Sequence, residues 1–556
     1  MKINTGFLRI ATAFIIAGSL FVPGAQAVID EEWKASGPLT SDPAWGLKTG
    51  EEMLELAPYP ILLGVKADSY NWEKGNVTAV ATCADINSSL CDKDQHYSYA
   101  TPLKMCTAEE LNCVEEVSVK DESGKSLPVE FVRSFPEVLR YPYKGSADLN
   151  LPDGGTTFLV RIPGAPHAGG NLYLVKAVIS GGKNPDDKLF SRPNLNAQIT
   201  AVSLKSGNFS QPVHIFDTKS YGSAHTWTNS TNPECQVQCS STESAVSHPL
   251  PLDLEFGLQI RLTSKIGGWL NGRVSKVKSS ISTDTKNRQI IFVSGNAVRV
   301  PIVSGWIPKA SAPESITSFY NSLTPQQRDG GVGYSQGWLR TPERTELGLR
   351  ETALWLPVLG DKAVVAPTIW LISSIGRGLI NGCQVKEDQL SGIVTTNATS
   401  YISGPPTFNQ TTQTIDYQVI APHLLADGSI FKGTYDLTLN SELARCMYRF
   451  TQAPISATVS IVSTDGTNQI ATIATSEKDG LIHLGAYGFT FSSPTLRVKL
   501  SQAAVVPTPT PSATPTAPAV AKPVAAKKTA ITCIKGKTIK KVTAVNPKCP
   551  SGYRKK

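Results

Sequence analysis

Between Ile455 and Leu500 the chain repeats a pattern that a pleated sheet can bury on one side. Ile455, Ala457, Val459 and Ile461 are apolar, and Ser456, Thr458 and Ser460 between them are polar. Successive side chains of a strand point to opposite faces, so this period of two gathers the apolar groups together. A helix of about 3.6 residues per turn would scatter them. Turn signals follow at Thr464-Asp465-Gly466-Thr467-Asn468 and at Lys478-Asp479-Gly480. Ile470–Ala474 reads as one further strand, Leu481–Phe491 as the next, and Leu496–Leu500 ends the region. Short strands with turns every ~8–12 residues predict a sandwich or barrel. Phe158–Ile162, Leu172–Val175, Leu258–Leu262 and Gln289–Val293 predict more strands of the same kind. The best helix candidate is Pro313–Leu323, capped by Ser311 and ended before Pro325. Residues 330–380, with Trp338, Trp355 and Trp370, show no assignable period. The expected fold is mainly β: several antiparallel β-sandwich-like domains with few short helices.

The first 27 residues have the layout of a secretory signal peptide. Lys2 and Arg9 supply a positive start, and an apolar stretch of about 13 residues runs from Ile10 to Val22. Pro23-Gly24-Ala25-Gln26-Ala27 then places small residues at the −3 and −1 positions of a cut after Ala27. The apolar stretch is short for a hydrocarbon core of roughly 30 Å, and no later stretch has 18 uninterrupted apolar residues. No transmembrane segment is therefore expected after signal cleavage. No Cys follows the small residues, which argues against a lipoprotein cut, and no twin arginine precedes them. The ten cysteines agree with export, because disulfides persist in oxidising compartments. Cys83, Cys91, Cys106 and Cys113 allow three pairings, which spacing leaves open. Cys235 and Cys239 fit either a local disulfide or half of a metal site, with His225 and His248 flanking loosely. A Cys383–Cys446 bridge would close a loop of about 60 residues and contribute a few kcal/mol. No metal and no cofactor is expected.

Charge is distributed unevenly. The net charge is +8, yet residues 28–502 hold 40 Lys/Arg against 45 Asp/Glu, while 503–556 hold eleven Lys/Arg and no acid. A mildly acidic body thus carries a basic tail, and the tail is the part suited to a polyanion. Between them, from Val505, proline recurs every second or third residue among Thr, Ser and Ala. Such a stretch favours extended polyproline geometry and buries little, so it predicts a stalk of several nanometres at about 3.1 Å per residue. Pattern and composition divide the chain into 1–27 (signal peptide), 28–145 (Cys-rich N-terminal region), 146–305 (β-rich domain) and 306–380 (mixed connecting region). There follow 381–502 (β-sandwich-like domain), 503–526 (Pro/Thr linker) and 527–556 (basic two-Cys tail).

The tail is too short for a real core, and a Cys533–Cys549 bridge would staple it as a hairpin turned at Gly536 and at Asn546-Pro547. Its ten Lys/Arg include Lys535, Lys537, Lys540, Lys541, Lys548, Arg554, Lys555 and Lys556, with no acid among them. These cations would bind anionic polymers or surfaces: teichoic-type phosphates, anionic polysaccharides or lipid headgroups. Nucleic acid is not expected, because of the compartment and because Tyr553 is the only aromatic. With its two cysteines, its lysines, Lys548-Cys549-Pro550 and Gly552-Tyr553, the tail resembles the short basic module that ends many secreted actinobacterial proteins after a Thr/Pro linker. Residues 381–502 are similar to a β region of unassigned activity that accompanies such tails. The resemblance implies a cell-envelope role and no particular chemistry.

One catalytic motif is present. Gly333-Tyr334-Ser335-Gln336-Gly337 fits G-x-S-x-G and resembles the nucleophile elbow of cutinase-type serine esterases. That chemistry needs Ser335 on a tight turn between a strand and a helix. Gln326–Val332 do not read as a strand, and Pro342 follows too soon for a long helix. Asp427 and His483 lie in suitable chain order for a triad. The seven histidines are scattered without an H-E-x-x-H motif. Asp148, Asn150 and Asp153-Gly154 suggest a turn more than a calcium loop. The expectation is a secreted envelope protein, a surface binding, adhesion or structural module held near the wall by its tail. An extracellular serine hydrolase built on Ser335 is the alternative. Sequence sets no oligomeric state.

Overall fold

The computed structural model describes residues 43–49, 59–66, 70–71, 76–77, 80–87, 91, 95–107, 110–211, 213–217, 225–229, 235, 237–324, 331–334, 337–340, 342, 344–376, 382–383, 385–386, 389–452, 455–462, 468–470, 472–491, 495–502 and 527–556. The predicted signal peptide and Pro/Thr linker lie outside them. The chain divides into two compact units, residues 1–503 and 504–556. It is mainly β, with several antiparallel sheets.

Two neighbouring strands organise the first unit. Gly268–Thr283 runs parallel to Leu390–Thr396, with Leu270 opposite Ile393. Alternation sends Leu270 and Ile393 into one core and Trp269 and Val394 into another. All seven residues Leu390–Thr396 are buried, which a strand shows only when both faces are covered. On one side the core is filled by alternate residues of Leu172–Lys183, Ser191–Ser206, Glu255–Leu262 and Gln289–Arg299. Three of the four contain segments that the sequence predicts as strands; Ser191–Ser206 is not among them. On the other side, Gly433–Asn440 and Leu481–Phe489 extend the shared sheet. A second sheet built on Thr414–Ile420, Ile455–Val462 and Thr495–Gln502 supplies the facing layer. Ile455, Val459 and Ile461 are buried there while Ser456 and Thr458 are exposed. The strand predicted at Ile470–Ala474 is in fact two. Asn468–Ile470 pairs with Ile455–Val462, and Thr472–Lys478 pairs with Leu481–Phe489. The chain changes sheets there, and local residue pattern carries no mark of that step.

A third core lies where Ala44–Lys48 pairs with Ser304–Pro308 and with Gly337–Arg340. Helices α1 (Glu314–Ser322) and α2 (Glu346–Trp355) pack on it through Ile316, Phe319, Tyr320, Leu349 and Trp355. The predicted α1 is present, but Ser311 does not cap it; its hydroxyl donates to Pro308 O at 3.3 Å. Helix α2 falls in the stretch left unassigned from sequence. Thr345 caps it by accepting Gly348 N–H at 3.3 Å, and Leu349, Thr352, Trp355 and Leu356 are buried at helical spacing. Helix α3 (Ser441–Tyr448) starts at Asn440, whose side chain accepts two backbone N–H groups, and ends at Arg449 with φ 56°. The ten cysteines form Cys83–Cys91, Cys106–Cys113, Cys235–Cys239, Cys383–Cys446 and Cys533–Cys549. Of the three pairings open to the N-terminal four, the chain adopts the one between sequence neighbours. Cys235 and Cys239 are a local disulfide, and Cys446 on α3 is tied to Cys383.

Strand Gly268–Thr283 changes partners in mid-course, and a buried carboxylate braces the change. Lys276 and Val277 together face one residue of Gln289–Arg299, a bulge with Lys276 at φ 54°. Bulges leave N–H groups off the ladder. Asp436 accepts both, from Lys276 at 3.1 Å and from Val277 at 3.2 Å, and the Tyr487 hydroxyl also donates to it. Gly485 makes room for this, since a Cβ there would stand 2.3 Å from the Tyr487 oxygen. Burial pushes the Asp436 pKa up to about 6, against the opposing pull of Tyr487, the two N–H groups and Lys276. The unfolded value is near 3.9. A carboxyl raised in the folded state contributes its full stability below about pH 4 and loses it as pH rises through about 6. Asp436→Asn cannot accept all three hydrogen bonds, and should cost about 1–3 kcal/mol. The cost should be larger at pH 5 than at pH 7.5 in urea unfolding. Equal costs at both values would mean that Asp436 does not titrate across this range.

Candidate functional site

The basic tail is a three-stranded antiparallel sheet. Thr529–Lys535 forms the centre, flanked by Thr538–Ala544 and Arg554–Lys555. Gly536 takes φ 58° at the first position of a two-residue hairpin loop, the place where a type II′ turn favours glycine. Register assigns the faces. Cys533 stands opposite Lys540 and Lys555, and Ile531 opposite Val542, on one face. That face is the occupied one: Cys533 is buried and bridged to Cys549, and the Lys540 ammonium lies 5.7 Å from the Tyr553 ring centroid. Lys535 lies over Gly552, where a Cβ would come within 3.1 Å of its Nζ. The other face carries Ile534 between Ile539 and Arg554, and Thr532 beside Lys541. Lys556 N–H donates to Thr532 O at 2.9 Å, which continues the third strand along that face. All eight basic residues singled out from sequence, Lys535 to Lys556, are exposed. The unit therefore presents cations on both faces, and its own sequence holds no Asp or Glu.

Ser335 lies outside the described residues, but its flanks do not. Gly331–Tyr334 and Gly337–Arg340 pair antiparallel, with Tyr334 opposite Gly337. One correction follows: Gly331 and Val332, just before the motif, belong to a strand. The residues after it form a strand, in keeping with the expectation that no long helix follows. A nucleophile elbow needs a helix at that second position. Asp427 accepts the Ser429 N–H at 2.8 Å and its hydroxyl at 2.6 Å, and these bonds hold its carboxyl below the usual range. His483 pairs with the Thr438 hydroxyl at 3.1 Å, and burial holds its pKa down. Each of the two residues suggested as triad partners thus has a hydrogen bond to a neighbouring hydroxyl, Asp427 to Ser429 and His483 to Thr438.

Strand register creates one contact that spacing in the sequence does not announce. Ala201 lies opposite His248, which brings the Ser203 hydroxyl within 2.8 Å of His248 Nε2. The His167 ring sits 5.5 Å away, centroid to centroid, with Nδ1 accepting Gly169 N–H and Nε2 bonded to Leu172 O. Burial, with His248 a lesser cause, keeps His167 below its ordinary pKa. Gly169 closes over His248, since a Cβ there would meet the ring at 2.2 Å. Ser203 and His248 thus have the contact of a nucleophile and base, both of them half-buried, with Gly169 packed against the ring. An open cleft of about 670 Å³ is lined by Ser98, Ser180, Lys183, Asn184, Asp187 and Asn194, among others, a hydrogen-bonding surface. The Asp148–Asp153 segment is a turn: Asn150 takes φ 59°, Ser146 bridges Leu151, and Asp153 accepts Gly145 N–H at 2.7 Å. Among the described residues, no group of three His, Cys, Asp or Glu is placed to hold a metal ion, and no helix is long and apolar enough to cross a membrane. Comparison with protein-family models, curated proteins and solved structures finds no match to the chain.

Proposed function

We propose that the protein is exported and associates with the cell envelope, its β body a binding, adhesion or structural module and its basic tail the attachment. The observation that carries this reading is the tail: a disulfide-closed sheet with ten Lys/Arg, no acid and every basic candidate exposed. Cations concentrated this way are attracted to polyanions, and salt screens the attraction over a Debye length of about 8–10 Å. Five disulfides support an oxidising, extracellular compartment. The polar cleft of the body favours a hydrogen-bonding ligand over an apolar one. The serine hydrolase alternative is disfavoured by the hairpin that flanks Ser335.

The test is sedimentation of residues 28–556 with isolated actinobacterial cell walls, beside a chain ending at residue 502. Only the longer chain should pellet, and raising salt from 50 mM to 500 mM should release it. Equal pelleting of both would assign recognition to the body. Pelleting of neither would end the attachment reading.

A further inference from the structure

The two faces of the tail sheet are unlike, and the difference points to a particular kind of anionic partner. One face is covered by the Cys549–Tyr553 segment, with Cys533, Lys535 and Lys540 engaged on it. The other has no layer over it among the described residues of this unit. At its centre Ile534 and Ile539 lie directly across from each other, and Ile539 is 58% exposed. Arg554 flanks Ile534 on the third strand, Lys541 is two residues along from Ile539, and Lys556 continues beside Thr532. With strands about 4.8 Å apart, these side chains fall within a patch roughly 10 Å across.

A hydrated polymer of phosphates or carboxylates satisfies cations but offers an exposed isoleucine nothing. A bilayer surface offers both, since its anionic headgroups lie directly above apolar acyl chain. We propose that the open face of the tail docks onto an anionic lipid surface, with Ile539 entering the headgroup layer between Lys541, Arg554 and Lys556. This inference rests on the attachment reading and names the partner of that same site.

The experiment uses the full mature chain, residues 28–556, with vesicles of phosphatidylcholine and phosphatidylglycerol at 3:1, vesicles of phosphatidylcholine alone, and soluble polyphosphate. The chain should bind the anionic vesicles and not the neutral ones. Ile539→Ser, at an exposed position that does not hold the fold, should weaken anionic-vesicle binding about tenfold. It should leave polyphosphate binding within twofold, and Ile539→Leu should restore vesicle binding. Lys540→Ser, on the covered face, should weaken vesicles and polyphosphate to the same small extent. Unchanged vesicle binding by Ile539→Ser would overturn the proposal, leaving charge alone as the attraction. Binding to cell walls or polyphosphate without any binding to anionic vesicles would overturn it too, while attachment through the tail stands. Binding to none of anionic vesicles, polyphosphate and cell walls would remove the attachment reading itself.

Discussion

Glu351→Ala is expected to destabilise the region built on α1 and α2 by about 3–5 kcal/mol. Glu351 is fully buried on α2, and Arg340, 1% exposed, donates its Nε–H to Glu351 Oε1 at 2.9 Å. The Tyr320 hydroxyl on α1 donates to the same oxygen at 2.9 Å and accepts the Trp355 indole N–H at 2.8 Å. One carboxylate thus ties two helices to the strand Gly337–Arg340. Removing it takes from a buried guanidinium the carboxylate it is paired with, and the loss of that buried pairing is the main penalty. Burial, then the nearby Glu351 charge, raises the Tyr320 pKa, so the phenol stays neutral and serves as a relay of hydrogen bonds. Replacing both charges, as Arg340→Met with Glu351→Leu, should cost far less than Glu351→Ala, because both halves of the buried pair leave together. Urea unfolding followed by tryptophan fluorescence reads the effect, since Trp355 belongs to the network. A loss under about 1 kcal/mol for Glu351→Ala would show that Arg340 reaches water or another acceptor easily.

That network also marks how much sequence can disclose. Period-two alternation identified strands such as Ile455–Val462 correctly, because a strand with one buried face writes its orientation into local sequence. It says nothing of partners. Ala44–Lys48 pairs with strands more than 250 residues away, and Asp436 reaches a bulge at Lys276. Such contacts depend on topology, not on spacing. Leu390–Thr396 has no alternation at all, since both of its faces are covered. Helix α2 was readable in principle from Thr345 and from Leu349, Thr352, Trp355 and Leu356, but Gly348 and the nearby prolines obscure the period. The tail was more legible. Its charges, two cysteines and Gly536 all lie within thirty residues, so local chemistry determines its shape. The inequality of its two faces was not legible, because it follows from the third strand, Arg554–Lys555, and from the segment folded over Cys533.

Cys533→Ser with Cys549→Ser should unfold the tail while leaving the body intact. Closing a loop of sequence separation 16 limits the unfolded chain by an amount equivalent to about 3 kcal/mol. Among residues 527–556 only Cys533 is buried, so the sheet has almost no apolar core to set against that loss. Limited trypsin digestion of the full mature chain reads the change. Cleavage after Lys535, Lys540 and Lys541 should accelerate at least tenfold, with the body fragment released at its usual rate. Binding should separate into two parts. The cations survive unfolding, so polyphosphate and wall binding should fall only severalfold and keep their salt dependence. The contribution of Ile539 to anionic vesicles needs a sheet to hold it beside Lys541 and Arg554, so Ile539→Ser should have no further effect in the double-serine chain. An unchanged digestion pattern would mean that hairpin pairing alone holds the tail. Retained sensitivity to Ile539→Ser in the unfolded tail would mean that its hydrophobicity acts without the face, and that the disulfide serves endurance against proteases instead of presentation.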